Sequence, residues 1–539
     1  YEIPIRLVGS EMCIRDSYYC YTFDIYFNSL YYLLKEYAFE GAAFMSLVQK
    51  WSTELRYQPY HEWPTDYLEK LKQTTNDSTW RLAFHIQPVT GLLNDPNGFS
   101  YFNGKWHVFY QSYPLGPVHG IKSWYHLTSE NLVDWQDEGL AILPDGPYDS
   151  HGVYSGSALA VGDRLFLAYT GNVRDQDWQR HSFQLGAWLD NKNQIQKLPE
   201  PLIVNSPKGY TQEIRDPQIF IFNQQYYLII GAQNEQEEGK ILTYKSSDLV
   251  NWQCIGEMTF SDDLLGFMVE CPNLIFIDNQ AVLLFCPQGL DQKQLSYQNI
   301  YPNTYVVADG FDGETNTLNN PSSLKNLDEG FDVYATQAFN APDGRALAIS
   351  WIGLPEVGYP TDEEGWAHCL SLVKELTLKD GNLLQRPVKE LEKLRLDHHS
   401  FNGTLSSVQK IYSPQENRYE LQLDLDAAAQ GTLTLFADDD TNLGLTLSFD
   451  TQNGTMTMNR ENTGTPFAKE FGTSRTFKIP QKDLSLQIFV DHSVVEVFIN
   501  QGEKVASARV FPKKDQTAIL LEGTTGIFSG EYWTLRPMK

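Results

Sequence analysis

The sequence predicts an all-β protein in which a five-bladed β-propeller is followed by a C-terminal β-sandwich. Five short apolar strands, each preceded by a turn, recur about every sixty residues, and few helical patterns lie between them. Repeating sheet units of this kind are typical of the blades that surround the channel of a propeller. The five strands are Trp106–Gln111, Leu165–Thr170, Tyr226–Ala232, Val282–Gln288 and Ala346–Gly353.

The turn residues before the strands and a pair of similar segments, two repeats apart, support this period of about sixty residues. Asn103-Gly104 and Asp343-Gly344 are dipeptides that suit tight hairpins, and they precede the first and fifth strands. Ser129–Trp135 also resembles Ser246–Trp252, two repeats further on. The two periodic signals favour a propeller over the alternative, a β-sandwich whose strand spacing is coincidental.

The pattern changes on both sides of the repeats. Short helical patterns at Leu47–Leu55 and Tyr67–Leu71 predict a helical lead-in over 45–79, before a propeller over 80–385. The charged stretch Lys389–Leu394 predicts a partly helical linker over 386–397. From 398 to 539 short alternating strands predict the β-sandwich. The clearest of them are Tyr419–Leu425, Leu433–Phe436, Leu484–Val490 and Val494–Ile499.

Residues 1–44 differ from the rest of the chain. The stretch Leu7–Ser17 resembles a translated sequencing adapter, and Tyr18–Tyr37 is aromatic without a period. Tyr18–Tyr37 lacks the basic, apolar and small-residue regions of a signal peptide. We therefore expect this segment to be a gene-model artefact and translation to start at Met45.

Composition limits the class of protein and of partner. The 539 residues carry a formal net charge of −27 and are 42% hydrophobic, which excludes a disordered or collagen-like chain. The acidity argues against nucleic acid and anionic membranes as partners. Six cysteines without a CxxC pair argue against a zinc site and a disulfide framework. We expect a cytoplasmic protein with reduced thiols that forms a monomer or a homodimer.

Three carboxylates occur at similar depths in different repeats, just upstream of the recurring strands. The residues at this position, upstream of the five strands in turn, are Asp95, Ser155, Asp216, Glu270 and the neighbourhood of Asp332 and Tyr334. Other interpretations exist for two of them, because Asn94–Gly98 has the composition of a turn and Arg215-Asp216 fits a surface ion pair. Glu270 lies between apolar segments, where an unpaired carboxylate would cost several kcal/mol.

Paired carboxyl groups of this kind suit glycoside hydrolysis. One group must stay protonated to donate to the leaving oxygen, and the other must be ionised. We expect apolar surroundings to raise the pKa of Glu270, and polar Asn94 with nearby turn amides to keep Asp95 ionised. Binding of Ca²⁺ is a weaker alternative, since the dense spacing of a calcium loop is missing. No metal and no cofactor is predicted.

These motifs resemble the invertase-type glycoside hydrolases of family 32 over residues 76–539, most closely the bacterial sucrose-6-phosphate hydrolases within that family. The motifs occur in the family's order. They are Asn94-Asp95-Pro96-Asn97-Gly98, Tyr110-Gln111, Tyr154-Ser155-Gly156-Ser157, Arg215-Asp216-Pro217, Glu270-Cys271-Pro272 and, near the C-terminus, Phe489–Phe498.

The resemblance implies a five-bladed propeller with a sandwich and retaining hydrolysis of β-fructofuranosides. It implies that Asp95 is the nucleophile, Glu270 the acid/base and Asp216 the stabiliser of the transition state. A retaining mechanism predicts carboxyl groups about 5–5.5 Å apart. The implied substrate contacts are Leu92, Leu93, Asn94, Gln111, Trp124, Tyr154, Ser155 and Arg215. Two departures concern specificity, since Leu92 replaces a frequent Trp and Trp124-Tyr125-His126 replaces Trp-Gly-His.

The expected substrate is sucrose 6-phosphate, with sucrose as a second substrate. A phosphorylated sugar needs basic donors at the mouth of the channel. The candidates are Lys122, His126, His151, Arg174, Arg180 and His181, although each single one also fits a solvated surface charge. Three alternatives remain open: an invertase or fructan hydrolase acting on unphosphorylated sugars, a fructosyltransferase, and a carbohydrate-binding propeller without catalysis.

Overall fold

The computed structural model describes residues 47–539, and within that range the protein is all-β. The predicted artefact, residues 1–44, and the expected start at Met45 lie outside the described residues. The described chain forms 36 strands, two short α-helices and a few 3₁₀ turns. Among the described residues, no helix has the length and apolar character that crossing a membrane requires.

Helical structure precedes the first sheet, as the sequence predicts, but within narrower limits. The α-helices span Thr53–Arg56 and Tyr67–Asn76, with a 3₁₀ turn over Tyr60–Glu62 between them. Ser52 caps the first helix, because its hydroxyl accepts a hydrogen bond from the Leu55 amide. Leu71 of the second helix packs into an apolar cluster with residues of the first sheet.

Five sheets follow in chain order, and the strands of the first three are consecutive. Each of these sheets is antiparallel along its main path, so that tight hairpins connect successive strands. The first contains β1 (Gly91–Phe102), β2 (Lys105–Tyr113), β3 (Ser123–Ser129) and β4 (Trp135–Ile142). The second contains β5 (Val153–Val161), β6 (Arg164–Arg174), β7 (Arg180–Leu189) and β8 (Ile195–Lys197). The third contains β9 (Tyr210–Phe222), β10 (Gln225–Asn234), β11 (Gly239–Ser246) and β12 (Gln253–Glu257).

The fourth and fifth sheets are less regular. The fourth contains β13 (Met268–Ile277), β14 (Gln280–Gln288), β15 (Thr304–Ala308) and β18 (Lys325–Asn326). The hairpin of β16 (Gly310–Asp312) and β17 (Thr317–Asn319) lies between β15 and β18 in the chain and forms a separate two-stranded sheet. The fifth contains β19 (Val333–Asn340), β20 (Ala346–Ile352), β22 (Cys369–Leu370), β23 (Lys374–Lys379) and β24 (Asn382–Pro387). Strand β21 (Trp366–Ala367) leaves this order and pairs in parallel with β1. The 3₁₀ turns here are Pro360–Glu364 and Lys389–Leu394, the second of which confirms the predicted helical connector.

The five recurring strands predicted from the sequence are all confirmed, as β2, β6, β10, β14 and β20, and each is the second strand of its sheet. The first strands of the five sheets, β1, β5, β9, β13 and β19, contact one another in a closed cycle, with β19 against β1. The carboxylates Asp95, Asp216 and Glu270 lie on three of these first strands.

A belt of buried polar side chains joins the five first strands. Each member hydrogen-bonds to the main chain of the next strand in the cycle, and we call this set the polar belt. Its members are Asn97, Ser157, Gln218, Asn273 and Gln337. Gln337 closes the cycle, because its Oε1 accepts from the Phe99 amide at 2.6 Å and its Nε2 donates to the Gly156 carbonyl at 2.7 Å.

The C-terminal residues form two six-stranded antiparallel sheets, as the alternating pattern predicts. One contains β25 (Arg395–Thr404), β27 (Arg418–Leu425), β32 (Leu484–Asp491), β33 (Val494–Ile499), β34 (Lys504–Arg509) and β36 (Ile527–Leu535). The other contains β26 (Gln409–Tyr412), β28 (Gln430–Ala437), β29 (Leu445–Asp450), β30 (Thr455–Asn459), β31 (Ser474–Lys478) and β35 (Ala518–Thr525), with a 3₁₀ turn at Lys469–Phe471. Leu421, Ile488, Leu433 and Leu447 belong to one core between the sheets.

Buried charges attach these two sheets to the N-terminal part. The Asp491 carboxylate accepts hydrogen bonds from the amides of Ala83 and Phe84, at 2.8 and 2.9 Å, and contacts His85 Nδ1 at 2.9 Å. Glu496 accepts from the Leu372 amide at 2.6 Å. The family-like segment Phe489–Phe498 therefore holds the chain just before the first sheet and again between β22 and β23 of the fifth sheet.

The polar belt gives a test of stability. Gln337→Ala removes both hydrogen bonds of Gln337 and leaves the Phe99 amide and the Gly156 carbonyl buried without those partners. We expect the free energy of unfolding to fall by about 2–4 kcal/mol, measured by chemical denaturation. The matched control is Gln452→Ala at an exposed site, which should change it by less than about 0.5 kcal/mol. Equal effects of the two substitutions would show that the belt adds nothing to stability.

Candidate active site

The candidate site lies where the five first strands are each interrupted by a β-bulge. The pairing register shifts between Leu93 and Pro96, between Val153 and Gly156, and between Glu270 and Asn273, with matching shifts in β9 and β19. A bulge re-aims side chains that regular pleating would point elsewhere. The bulges therefore turn residues of all five strands toward one place, and the carboxylates are among them.

Asp95 is partly buried and is held by three polar neighbours. Asn94 Nδ2 donates to its Oδ1 at 2.9 Å, while Ser155 Oγ and Gln111 Nε2 donate to its Oδ2 at 2.5 and 3.2 Å. Gln111 also donates to the Ser155 hydroxyl. Both oxygens of the Asp95 carboxylate are therefore held in a fixed orientation.

Glu270 lies in a different environment, and its side chain is 17% exposed. Arg215 Nε donates to its Oε1 at 2.9 Å, and Gln288 Nε2 and the Tyr334 hydroxyl donate to its Oε2 at 2.7 Å each. The expected apolar surroundings are thus replaced at the carboxylate by polar partners, since the bulge turns Glu270 away from the neighbouring apolar side chains.

Asp216 is the most buried of the three carboxylates, at 6% exposure, and it adopts a left-handed backbone conformation with φ of 68°. Its Oδ2 accepts from the Cys271 amide at 3.0 Å. Burial, and next the charge of Glu270, raise the pKa of Asp216 to about 7, although Arg215 opposes this. Non-glycine residues with positive φ are rare and concentrate at functional sites.

Arg215 balances the negative charge between the carboxylates. Burial opposes its charge, but Glu270 and then Glu213 outweigh that effect and raise its pKa. Glu213 Oε2 accepts from Arg215 Nη1 and from Arg180 Nη1, at 2.5 Å each. A chain of ion pairs thus runs from Glu270 through Arg215 and Glu213 to Arg180.

The structure separates the predicted substrate contacts into two groups. Asn94, Gln111, Ser155 and Arg215 contact the carboxylates directly, and Tyr154 is half-buried beside the Arg180 guanidinium. Leu92, Leu93 and Trp124 are at most 1% exposed and belong to apolar clusters. These three support the site from behind and present no surface to a sugar.

The predicted phosphate residues also separate. His151, Arg174 and Arg180 are partly exposed and lie around Tyr57, Trp178 and Tyr154. His181 is exposed and pairs with Asp175 at 3.0 Å. His126 is 2% exposed, stacks on Phe109 and contacts His107, and burial lowers its pKa to about 3. A buried neutral imidazole of this kind is a core residue. The prediction that His126 binds phosphate is therefore wrong.

Lys122 also lies elsewhere than predicted. It is 4% exposed, and its ammonium group contacts Asn94 Oδ1 and His119 Nδ1 beside the Asp95 carboxylate. Asp332, sampled with Tyr334 in the fifth repeat, faces the C-terminal sheets and pairs with Arg460 at 2.6 Å. Tyr334 alone of that pair reaches the site.

Gln288, His119 and the Glu213 bridge were missed by the sequence analysis. A signal existed for Gln288, because it ends the fourth recurring strand as Gln111 ends the first. His119 and Glu213 lie in segments without a repeat counterpart, and only the folded chain brings them to the site.

Among the described residues, one group has donors spaced for a metal ion. Oxygen or sulfur atoms of Asp95, Asp216 and Cys271 lie within 4.8 Å of one another. Burial raises the pKa of the Cys271 thiol well above its usual range, with the charges of Asp216 and Asp95 adding to the effect. Cysteine binds metals as the thiolate, so this group is poorly suited to a cation at neutral pH.

Comparison with known proteins identifies the family. Residues 85–387 match the glycosyl hydrolases family 32 N-terminal domain, and residues 390–534 match the family's C-terminal domain. The chain belongs to glycosyl hydrolases family 32. The resemblance inferred from the motifs is thus confirmed, and with it membership of the glycoside hydrolases.

Relatives within family 32 cover nearly the whole described chain. The sucrose-6-phosphate hydrolase of Pediococcus pentosaceus is 50% identical over 487 residues, which are 90% of this chain and 97% of that protein. The structure of sucrose-6-phosphate hydrolase from Lactobacillus gasseri has a TM-score of 0.88 and 43% identity, covering 91% of this chain and 100% of that one. A variant of the Bombyx mori family 32 β-fructofuranosidase in complex with sucrose has a TM-score of 0.76 and 31% identity, covering 88% and 97%.

The raised pKa of Asp216 predicts a pH-dependent cost of folding. The group binds its proton more tightly in the folded chain, so it lowers stability increasingly as the pH rises from about 4 to 7. Asp216→Asn should therefore raise the free energy of unfolding at pH 8, on the order of a few kcal/mol, and the gain should shrink toward pH 5. Denaturation curves at both pH values measure this, with exposed Asp515→Asn as control. A gain that is equal at both values would contradict the raised pKa.

Proposed function

We propose that the protein is a retaining β-fructofuranosidase that hydrolyses sucrose 6-phosphate, and also sucrose, to fructose and glucose 6-phosphate or glucose. The observation that carries the proposal is the placement of Asp95 and Glu270 at one site with different partners. Relatives that carry the name sucrose-6-phosphate hydrolase, at up to 50% identity, support the substrate.

The proposed architecture follows from the same sheets. We assign the five N-terminal sheets to the blades of a five-bladed β-propeller over 80–385, supported by the closed cycle of first strands. Residues 47–79, the described part of the predicted segment 45–79, form its helical lead-in, and 386–397 link it to a β-sandwich over 398–539. In this arrangement the bulged strands surround one end of a central channel.

Each carboxylate has a proposed task. Asp95 attacks the anomeric carbon of the fructosyl unit, and the hydrogen bonds from Asn94, Ser155 and Gln111 hold its carboxylate in place for the attack. Glu270 donates a proton to the leaving oxygen and then removes one from the attacking water. Both steps invert the anomeric carbon, so that the overall result is retention.

Asp216 has a proposed role at the fructosyl unit, and Arg215 has one at the Glu270 carboxylate. Asp216 holds fructosyl hydroxyl groups and stabilises the oxocarbenium-like transition state. Arg215 contacts Glu270 at 2.9 Å and keeps it aimed at the leaving oxygen. The Tyr334 hydroxyl and Gln288 fix the other oxygen of Glu270. We infer no cofactor in this chemistry.

The phosphate subsite is proposed at Arg174, Arg180 and His151. The Nε atoms of Arg174 and Arg180 are buried and have no hydrogen-bond partner among the described residues. Buried donors of this kind are costly unless a ligand satisfies them. Trp178, which is 43% exposed beside Tyr57 and His151, offers an apolar face for the glucosyl ring.

An invertase that acts on unphosphorylated sucrose alone is the second candidate, and the relative from Bombyx mori whose structure contains sucrose supports it. Fructan hydrolysis, fructosyl transfer and carbohydrate binding without catalysis remain the alternatives from the sequence. Cytoplasmic location and a monomeric or homodimeric state remain predictions.

The catalytic assignment predicts the effect of Asp95→Ala. Without a nucleophile the covalent step fails, so turnover should fall by roughly four orders of magnitude or more, while the Tm changes by a few degrees at most. Release of fructose from sucrose 6-phosphate measures turnover. Exposed Asp163→Ala is the matched control and should keep wild-type turnover. An Asp95→Ala enzyme with substantial turnover would exclude the proposed mechanism.

The phosphate subsite predicts a change of specificity. Arg174→Ala should lower kcat/KM for sucrose 6-phosphate by roughly 10- to 100-fold, the value of one charge-assisted hydrogen bond. The kcat/KM for sucrose should change by less than about threefold, since no phosphate is present. Arg345→Ala serves as control, because Arg345 pairs with Asp343 and Glu390 at the start of β20. Equal losses on the two substrates would remove Arg174 from the subsite.

A further inference from the structure

Lys122 is a buried lysine beside the proposed nucleophile. It follows β2 in the loop that leads to β3, and 4% of its surface is exposed. Its Nζ donates to Asn94 Oδ1 and contacts His119 Nδ1 at 2.8 Å. A buried ammonium group is expensive unless its environment compensates the charge.

The contact with Lys122 fixes the orientation of the Asn94 amide. An ammonium group can only donate hydrogen bonds, so Asn94 must present its carbonyl oxygen to Lys122. The amide nitrogen of Asn94 then faces Asp95 and donates to Oδ1 at 2.9 Å. The reversed amide would place a carbonyl oxygen against the carboxylate. Lys122 therefore determines which atom of Asn94 the nucleophile meets.

We propose that Lys122 is a positioning residue for Asp95, acting through Asn94, and that its positive charge offsets the negative charge of the carboxylates at the site. The inference rests on the proposed role of Asp95 as nucleophile. It replaces the expectation that Lys122 binds a substrate phosphate at the mouth of the channel.

The charges around Asp95 show why a cation is needed there. Asp216 faces it from β9, and Glu270 and the Cys271 thiol face it from β13. Arg215, on β9, is engaged by Glu270 and Glu213. His119 and His368 are the other titratable groups near Lys122. Burial lowers the pKa of Lys122 to about 7, although Asp95 and Glu270 oppose this. Lys122 therefore carries its positive charge at acidic pH.

The variant Lys122→Met tests the proposal through the pH profile. Removal of the cation leaves the carboxylates of the site without that compensating charge, so the acid limb of kcat/KM should move to higher pH by about 0.5–1 unit or more. The loosened carboxylate should lower kcat by roughly 10- to 100-fold. The loss should be the same for sucrose and sucrose 6-phosphate. The position of the limb does not depend on how much of the enzyme is folded.

Two further variants separate positioning from a structural effect. Lys374→Met removes another lysine with 1% exposure, which pairs with Glu496 at 3.4 Å outside the site. It should leave the acid limb in place. Asn94→Ala removes the side chain through which Lys122 acts on Asp95. Because Lys122 acts through Asn94, adding Lys122→Met to Asn94→Ala should reduce kcat by less than about threefold.

The contrary results are equally specific. The positioning role would be overturned if the acid limb of Lys122→Met did not move. It would also be overturned if Lys122→Met lowered kcat as much in the Asn94→Ala background as in the wild-type enzyme. A loss confined to sucrose 6-phosphate would identify Lys122 as a phosphate ligand instead. If Asp95→Ala is inactive while Lys122→Met keeps the wild-type limb, this inference alone fails. If Asp95→Ala retains turnover, the proposed function fails with it.

Discussion

The closed cycle of hydrogen bonds in the polar belt is the constraint on which the site depends. Carboxylates from three different sheets can act together only if the strands that carry them keep a fixed spacing. Asn97, Ser157, Gln218, Asn273 and Gln337 each bind the main chain of a neighbouring first strand. Because these side chains are buried, an unmade bond would leave a polar group without compensation. The belt therefore holds the strands in one register around the site.

The bulges next to the polar belt bring the reactive side chains together. They turn Asp95, Asp216 and Glu270 toward one another, at the cost of concentrated negative charge and of left-handed backbone at Asp216 and Cys271. Two buried cations offset the charge, Arg215 at Glu270 and Lys122 beside Asp95. The site is thus a balance between like charges that destabilise the fold and cations that hold them in place. Such tension between stability and activity is common at active sites.

The sequence predicted much of this arrangement, and the limits have physical causes. The five strands and the C-terminal strands repeat locally, so that alternation and turn residues reveal them. Asp95, Asp216 and Glu270 follow from the same repeat. The orientation of a side chain at a bulge or in a loop depends on neighbours that are distant in sequence. The burial of Trp124 and His126, at bulges of β3, and of Lys122, in the loop before β3, could therefore not be predicted. The polar surroundings of Glu270 likewise come from β9, β14 and β19, far away in sequence.

The proposed mechanism requires Asp95 to form a covalent bond to the fructosyl unit. The most direct measurement is mass spectrometry of the Glu270→Gln variant after brief reaction with β-fructosyl fluoride, whose leaving group needs little acid assistance. The second step lacks its base, so the intermediate should accumulate. We expect one added fructosyl unit on the peptide that contains Asp95. An adduct on another residue, or an inverted product formed without an adduct, would contradict it.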